Sequence, residues 1–144
     1  MHHYIAIGQY PEDVKAAKKI VAKMKQPACV LKEDFTTREL MSLVGNMDLM
    51  IGIRLHALIF AGVMGTPMIG ISYDPKIDRF LKSIDEDVVG DLENVTVEAL
   101  MQEINAKWNN KEIYRNQNLK RMAKLRSLAR SNAEMALEFI DKNK

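Results

Sequence analysis

The chain has 144 residues, of which 47% are hydrophobic and 28% are charged. This composition is typical of one globular domain and unlike that of a disordered segment. The formal net charge is only +2, and no apolar stretch is long enough to span a bilayer. The single cysteine, Cys29, excludes an internal disulfide framework and a cysteine-based zinc site, so we expect a reducing, cytoplasmic setting.

Strand-like and helix-like segments alternate along the chain, as their hydrophobic periodicity and their Gly and Pro boundaries indicate. In chain order they are a strand at Tyr4–Gly8, a helix at Pro11–Lys25, a strand at Ala28–Leu31, a helix at Thr37–Gly45, a strand at Asp48–Ile53, a helix at Leu55–Met64, a strand at Met68–Tyr73, a short helix over Ile77–Ile84, a strand at Val88–Gly90, a helix capped by Thr96 that continues past Ile104, and a helix at Lys111–Asp141.

This alternation with short connections predicts an α/β fold with a parallel sheet of about five strands flanked by helices, Rossmann-like or flavodoxin-like. The strand at 48–53 is almost wholly apolar, which is typical of a strand buried on both faces. The helix at 55–64 is apolar nearly all round, so we expect it to be buried. The last helix is longer than such a sheet needs, and part of its apolar stripe is expected to cover another domain or another copy of the chain.

Charge is unevenly distributed along the sequence. Residues 111–144 carry a net charge of +5 and residues 1–110 a net charge of −3. A basic tail of this kind can contact nucleic acid or anionic lipid. Because it has little aromatic interleaving, we interpret it as a solvated helix face and expect no nucleic-acid partner.

Ligands of open parallel sheets bind beyond the carboxyl ends of the strands. Three segments at the carboxyl ends of predicted strands are candidate ligand sites: residues 8–10, residues 52–56 and residues 72–76. The last two follow consecutive strands, so Arg54, His56 and Lys76 should converge on one crevice. A helix N-terminus, a planar guanidinium, an imidazole and an ammonium together favour a small anion with two charged groups.

Each residue of this group also has a structural interpretation. Arg54 can pair with a nearby acid, His56 can be a hydrogen-bonded structural histidine, and Lys76 can be a solvated loop residue. Tyr73 and Asp74 either support the site or only form the turn that Pro75 completes.

Other motifs are weak. The chain contains neither the glycine pattern of dinucleotide-binding folds nor a phosphate-binding loop. His2 and His3 have no third ligand in view, and the sequence calls for no metal or other cofactor. We expect Cys29 to be a buried strand residue, and we expect the acidic run at 85–87 to be solvated.

Two blocks, GIRLHALIFA at 52–61 and GTPMIGISYDPK at 65–76, resemble the polysaccharide pyruvyl transferase family, in particular its CsaB type. The resemblance implies a two-domain, GT-B-type fold of which residues 1–144 would form a single Rossmann-like domain, the C-terminal half. It also implies an N-terminal domain that supplies a further arginine, so the chain alone should be inactive. With the first strand of that half missing, the expected strand order is 2-1-3-4-5.

The resemblance further implies transfer of a pyruvyl group from phosphoenolpyruvate, the donor substrate, to a lipid-linked amino sugar of a cell-wall polymer precursor, forming a ketal. His56 and Lys76 match the family's catalytic positions, and Arg54, Leu55, Tyr73 and Asp74 would bind substrate. The reaction would take place in the cytoplasm or at the inner face of the membrane, and the chain could form a homo-oligomer.

Two other functions are compatible with the sequence. One is a glycosyltransferase or sugar-nucleotide epimerase half, which would need an acid for ribose hydroxyls, and Glu93 and Glu98 are poor candidates. The other is a non-catalytic interaction domain of flavodoxin-like topology. A receiver domain of that kind needs clustered aspartates after its first strand, and residues 8–10 contain none.

Overall fold

The computed structural model describes residues 4–7, 11–31 and 34–142. The chain divides into two compact units, residues 1–38 and residues 39–144. The elements in chain order are β1 (Tyr4–Ile7), α1 (Pro11–Val21), β2 (Ala28–Leu31), α2 (Thr37–Gly45), β3 (Met50–Gly52), α3 (Leu55–Met64), β4 (Met68–Ser72), α4 (Pro75–Ser83), β5 (Val88–Asp91), α5 (Val97–Asn109) and α6 (Lys111–Lys142). Within the described residues, no helix is both long and apolar enough to cross a membrane.

The first unit is a β–α–β arrangement. β1 and β2 pair in parallel with Tyr4 opposite Ala28, and α1 packs on both strands. The helix ends at Val21, earlier than the predicted Lys25, because the next backbone N–H groups tighten to i−3 bonds, as in Met24 to Val21.

Cys29 is exposed, so the expectation that it is buried was wrong. Successive side chains of a strand point to opposite faces, and Cys29 lies on the face opposite that of its neighbours Ala28 and Val30. Both of those neighbours are half-buried.

The second unit contains a three-stranded parallel sheet in the order β3-β4-β5, with α3 and α4 as its crossover helices. The predicted α/β architecture and the long C-terminal helix are confirmed. A single sheet of about five strands is not, because the five strands pair as one sheet of two and one of three. That residues 1–144 form a single Rossmann-like domain stays a prediction.

The core of the second unit lies between α3, α4 and the sheet. Its fully buried members are Val44, Leu58, Ala61, Met68, Ile77, Leu81 and Ile84. α3 was expected to be buried, and every residue of this fully described helix except His56 is buried or half-buried. The predicted boundaries of β2, α2 and α3 match the structure without change.

β3 is less buried than predicted. It is an edge strand of the three-stranded sheet, and α3 covers the face that carries Gly52, where an added β-carbon would lie 3.1 Å from Leu58. Ile51, whose side chain lies on the opposite face of the strand, is 44% exposed. Burial on both faces therefore holds for β4 but not for β3.

Gly70, in the middle of β4, is contacted by both crossover helices. A methyl group at this position would collide with Leu81 of α4 and lie 3.3 Å from Leu58 of α3. Both helices therefore pack on the same face of β4, and the missing side chain is what allows them to approach the strand.

α6 closes the amino edge of the sheet with its first half. Asn118 of α6 is fully buried, and its side-chain amide donates to the Thr66 carbonyl. The Thr66 hydroxyl in turn donates to the Val44 carbonyl. Arg115 donates to the carbonyl of Met47, and Lys111 pairs with Asp48 at 2.5 Å.

A buried ionic network lies at the same edge. Lys107, at the end of α5, is 2% exposed, and its ammonium donates to Glu86 at 2.5 Å and to the Met68 carbonyl at 2.6 Å. Glu86 also accepts from Arg121 of α6 at 2.9 Å. The expectation that residues 85–87 are solvated was therefore wrong for Glu86, because it neutralises a lysine that would otherwise be buried without a counter-charge.

We expect Gly70→Ala to lower the free energy of unfolding by ~1–3 kcal/mol, because the new methyl overpacks the contact with Leu81. Urea denaturation measures the change. Leu81→Val frees space at the same contact, so the double variant should lose less stability than the two single changes predict together. Simple additivity would contradict the shared-contact explanation.

Glu86→Gln should lower the free energy of unfolding by ~3–5 kcal/mol, since it leaves Lys107 buried with one carboxylate fewer. The matched control is Glu103→Gln. Glu103 also contacts the Lys107 ammonium, at 3.2 Å, but is 38% exposed, so its loss should cost about 1 kcal/mol or less. Equal effects of the two changes in thermal or urea unfolding would argue against a buried network.

Candidate functional site

The starts of α3 and α4 lie at the carboxyl edge of the three-stranded sheet. β3 ends at Gly52 and α3 begins at Leu55, while β4 ends at Ser72 and α4 begins at Pro75. The strands are parallel neighbours, and both helices pack on the same face of β4. The two helix N-termini are therefore neighbours on one side of the sheet.

The start of α3 has no side-chain cap. Arg54 occupies the N-cap position in extended conformation, and its side chain makes no capping hydrogen bond. The first backbone N–H groups of a helix have no partner within the helix and carry partial positive charge. His56, in this same turn, is the exposed residue of α3. This helix start thus combines backbone donors with a guanidinium and an imidazole.

The start of α4 is closed by its own carboxylate. Asp74 is the N-cap residue, and its side chain accepts from the backbone N–H of Lys76 at 2.9 Å. The Lys76 ammonium lies 3.2 Å from the other oxygen of Asp74, and both side chains are partly exposed. An ion pair this exposed is weak, so Lys76 can exchange Asp74 for another anion.

A shallow hollow of about 330 Å³ lies beside α4 at the carboxyl ends of β4 and β5. Its lining residues are Ser72, Tyr73, Asp74, Pro75, Asp78, Asp91, Leu92 and Glu93. Ser72 donates to Asp78 at 2.5 Å, and Tyr73 is 54% exposed. Four of the eight lining residues are acidic, so the hollow repels a polyanion and favours the start of α3 as the place where an anion binds.

Local hydrogen bonds lower the pKa of two carboxyl groups at this edge. For Asp74 the main cause is the Lys76 backbone N–H, opposed by partial burial and assisted by the Lys76 side chain. For Asp91, bonds from the Asn94 side chain and backbone and from the Glu93 backbone lower the pKa. Both groups therefore carry negative charge over the neutral pH range.

The predicted site residues fall into two groups. Arg54, Leu55 and His56 lie at the start of α3, and the remaining three, Tyr73, Asp74 and Lys76, lie together at the start of α4. The Leu55 side chain packs against the core, so only its backbone can contact a ligand. The third predicted strand end, residues 8–10, and the histidine pair at 2–3 lie outside the described residues.

Sequence reasoning did not find two acids of the hollow, Asp78 and Asp91. The signal for Asp91 was present, because an aspartate followed by Asn94 after a strand is typical of an Asx turn. Nothing in the sequence singles out Asp78. In the part of the chain that the structure describes, no group of three or more His, Cys, Asp or Glu side chains could hold a metal ion.

Comparison with protein families supports the sequence motifs. The model of one family, described as polysaccharide pyruvyl transferase, matches residues 2–75, which is just over half of the chain. This match includes the start of α3 and ends at Pro75, the first residue of α4, one residue before Lys76. Searches of curated proteins and of solved structures found no match.

The pKa of Asp74 gives a pH prediction. It is lower in the folded than in the unfolded chain, so the carboxylate stabilises the fold fully above the unfolded pKa, and this contribution is lost as pH falls through the folded pKa. We expect Asp74→Asn to flatten the loss of stability on the acid side, below the ordinary aspartate pKa. Urea denaturation at several pH values measures this.

A carbon-detected NMR titration of Asp74 identifies which group lowers the pKa of this carboxyl. Lys76→Met should leave most of the pKa lowering in place, because the main donor is the backbone N–H of residue 76. If the Asp74 pKa returns to its ordinary value in this variant, the ammonium rather than the cap is responsible.

Proposed function

The chain belongs to the polysaccharide pyruvyl transferase family, and from this premise we propose that it binds phosphoenolpyruvate at the start of α3. The pyruvyl group is then transferred to two hydroxyl groups of a sugar in a cell-wall polymer precursor. We assign the chain to the CsaB type and regard it as the C-terminal half of a GT-B-type enzyme. The acceptor in this proposal is a lipid-linked amino sugar presented at the inner face of the membrane, and the N-terminal domain completes the site.

The difference between the two neighbouring helix starts carries the donor proposal. α4 is capped by Asp74, whereas α3 has no cap from the Arg54 side chain. Phosphoenolpyruvate has a carboxylate and a phosphate, and each gains from a helix N-terminus and nearby cations. The acidic hollow beside α4 disfavours the same ligand. The donor therefore binds at α3 and is approached by Lys76 from one side.

The proposed reaction balances as follows. The methylene carbon of phosphoenolpyruvate gains a proton and becomes a methyl group. The two sugar hydroxyls form two bonds to the central carbon, and the bond from that carbon to the phosphate oxygen breaks. Of the two hydroxyl protons, one offsets the proton delivered to the methylene and the other leaves with phosphate. No oxidant or reductant is needed.

Each residue has a role that its position supports. His56, exposed in the first turn of α3, is the general acid that protonates the methylene, a contribution of about 10²–10⁴-fold. Arg54 pairs with the carboxylate or the phosphate through its planar fork. Lys76 leaves Asp74 and offsets charge on the departing phosphate. The backbone of Leu55 donates to the donor substrate, and Tyr73 lies on the side where the acceptor enters.

Binding rather than turnover is the direct test, because it needs no group from outside the chain. We expect phosphoenolpyruvate to shift the backbone amide NMR signals of residues 55–57. Arg54→Ala and His56→Ala should each weaken binding about tenfold, the value of one hydrogen bond to a charged group. Uridine diphosphate should bind more weakly than phosphoenolpyruvate. Tight binding of uridine diphosphate without a response to phosphoenolpyruvate would instead support a sugar-nucleotide enzyme.

α4 offers a matched control for the lysine. Lys76 lies in the first turn of α4 and Lys82 in its last turn, and both are exposed. Lys76→Ala should weaken phosphoenolpyruvate binding several-fold, whereas Lys82→Ala, with the same loss of charge, should not. Equal weakening by both variants would mean that only the net charge of the chain attracts the donor, and the assignment of Lys76 would fail.

A further inference from the structure

α6 has two halves with different surroundings. The helix has 32 residues and is therefore about 48 Å long. Met122 and Leu125 pack against the core of the second unit, but all residues from 126 to 142, which we call the distal half, are exposed. They include large apolar side chains: Leu128 is 55%, Met135 60% and Phe139 70% exposed.

Leu125 and one line of residues in the distal half follow the spacing of a helix that packs lengthwise on another helix, whereas Leu137 and Ile140, 62% and 52% exposed, lie off this line. Leu125, Leu128, Asn132, Met135 and Phe139 are separated alternately by three and four residues, which is the heptad pattern of a coiled-coil seam. The residues flanking this seam are Ala129 and Ala136 on one side and Lys124, Ser131 and Glu138 on the other. The small alanines permit close approach of a second backbone.

Charge changes sign along the same stretch. Residues 120–130 contain five basic and no acidic side chains, and residues 131–141 contain three acidic and no basic ones. Acids near the C-terminus of a helix oppose its macrodipole, and the basic Lys142 in the last turn offsets only part of this effect. Two ion pairs within the helix, Arg130 with Glu134 at 3.8 Å and Lys142 with Glu138 at 3.9 Å, are well exposed and therefore weak.

We propose that the distal half of α6 is a docking surface for the same half of a second copy of this chain, packed antiparallel. An antiparallel copy places the acidic end of one helix on the basic part of the other, whereas a parallel copy would place like charges together. In an antiparallel pair, the residues on one flank of the seam face the residues on the same flank of the partner helix. Lys124 of each copy then lies opposite Glu138 of the other, on either side of a Ser131 pair.

Lys124 and Glu138 cannot meet within one chain. They are fourteen residues apart on one continuous helix, a separation of about 21 Å. Any energetic coupling between these two exposed side chains therefore reports contact between copies. This makes a charge exchange the sharpest test of both the partner and its direction.

Sedimentation equilibrium of the full 144-residue chain should show a dimer with a dissociation constant on the order of micromolar. Lys124→Glu and Glu138→Lys should each give a monomer, because each variant places like charges together twice. An equimolar mixture of the two variants should regain the dimer, since one copy then contributes two acids and the other two bases. Leu128→Gln with Met135→Gln should abolish association in every mixture.

The matched controls make the same charge changes on the opposite side of the helix. Arg130→Glu and Glu134→Lys lie away from the seam and should leave the dimer intact. Circular dichroism establishes that each variant is folded. A monomer at all concentrations, a dimer that survives both seam variants, or a mixture that stays monomeric would overturn the proposal.

Discussion

The close packing of α3 and α4 on β4 determines where the starts of these two helices lie. Gly70 lacks a side chain, so Leu58 and Leu81 can reach the strand from two helices at once. Both helices are thereby held on one face of the sheet, and their N-termini lie side by side at its carboxyl edge. Because backbone N–H groups at a helix start attract anions, the packing of these three apolar residues places two helix starts with that property within two turns of the contact.

The two edges of the three-stranded sheet serve different purposes. At the amino edge, buried polar groups are used for stability: Lys107 is neutralised by Glu86, and Asn118 and Thr66 join α6 to the core. At the carboxyl edge Ser72 is buried, but Lys76 and Asp74 are partly exposed, and their ion pair is weak enough to exchange. This division agrees with the general location of ligand sites in parallel α/β sheets.

Local chemistry made much of the fold predictable. The boundaries of α3 follow from an apolar run ended by Gly65, which adopts φ +75°, and the Thr96 cap of α5 is confirmed by its bond to the Ala99 N–H. Burial that depends on tertiary packing was harder to predict, because sequence periodicity does not show which strand lies at an edge of the sheet. Ile51 was therefore predicted to be buried and is exposed. The burial of Glu86 was missed because its partner Lys107 lies 21 residues away in the sequence.

For the candidate site, the sequence identified the cations and Asp74 but not the two further acids Asp78 and Asp91. Arg54, His56 and Lys76 stand out in motifs after apolar strands, whereas Asp78 becomes part of the site only through the hollow it lines with Asp91. The acids change the electrostatic argument. A crevice of cations alone would hold a polyanion in many orientations. In our proposal, the start of α3 has no side-chain cap, while its neighbour is capped by Asp74 and bordered by carboxylates, and this difference directs an anion to α3.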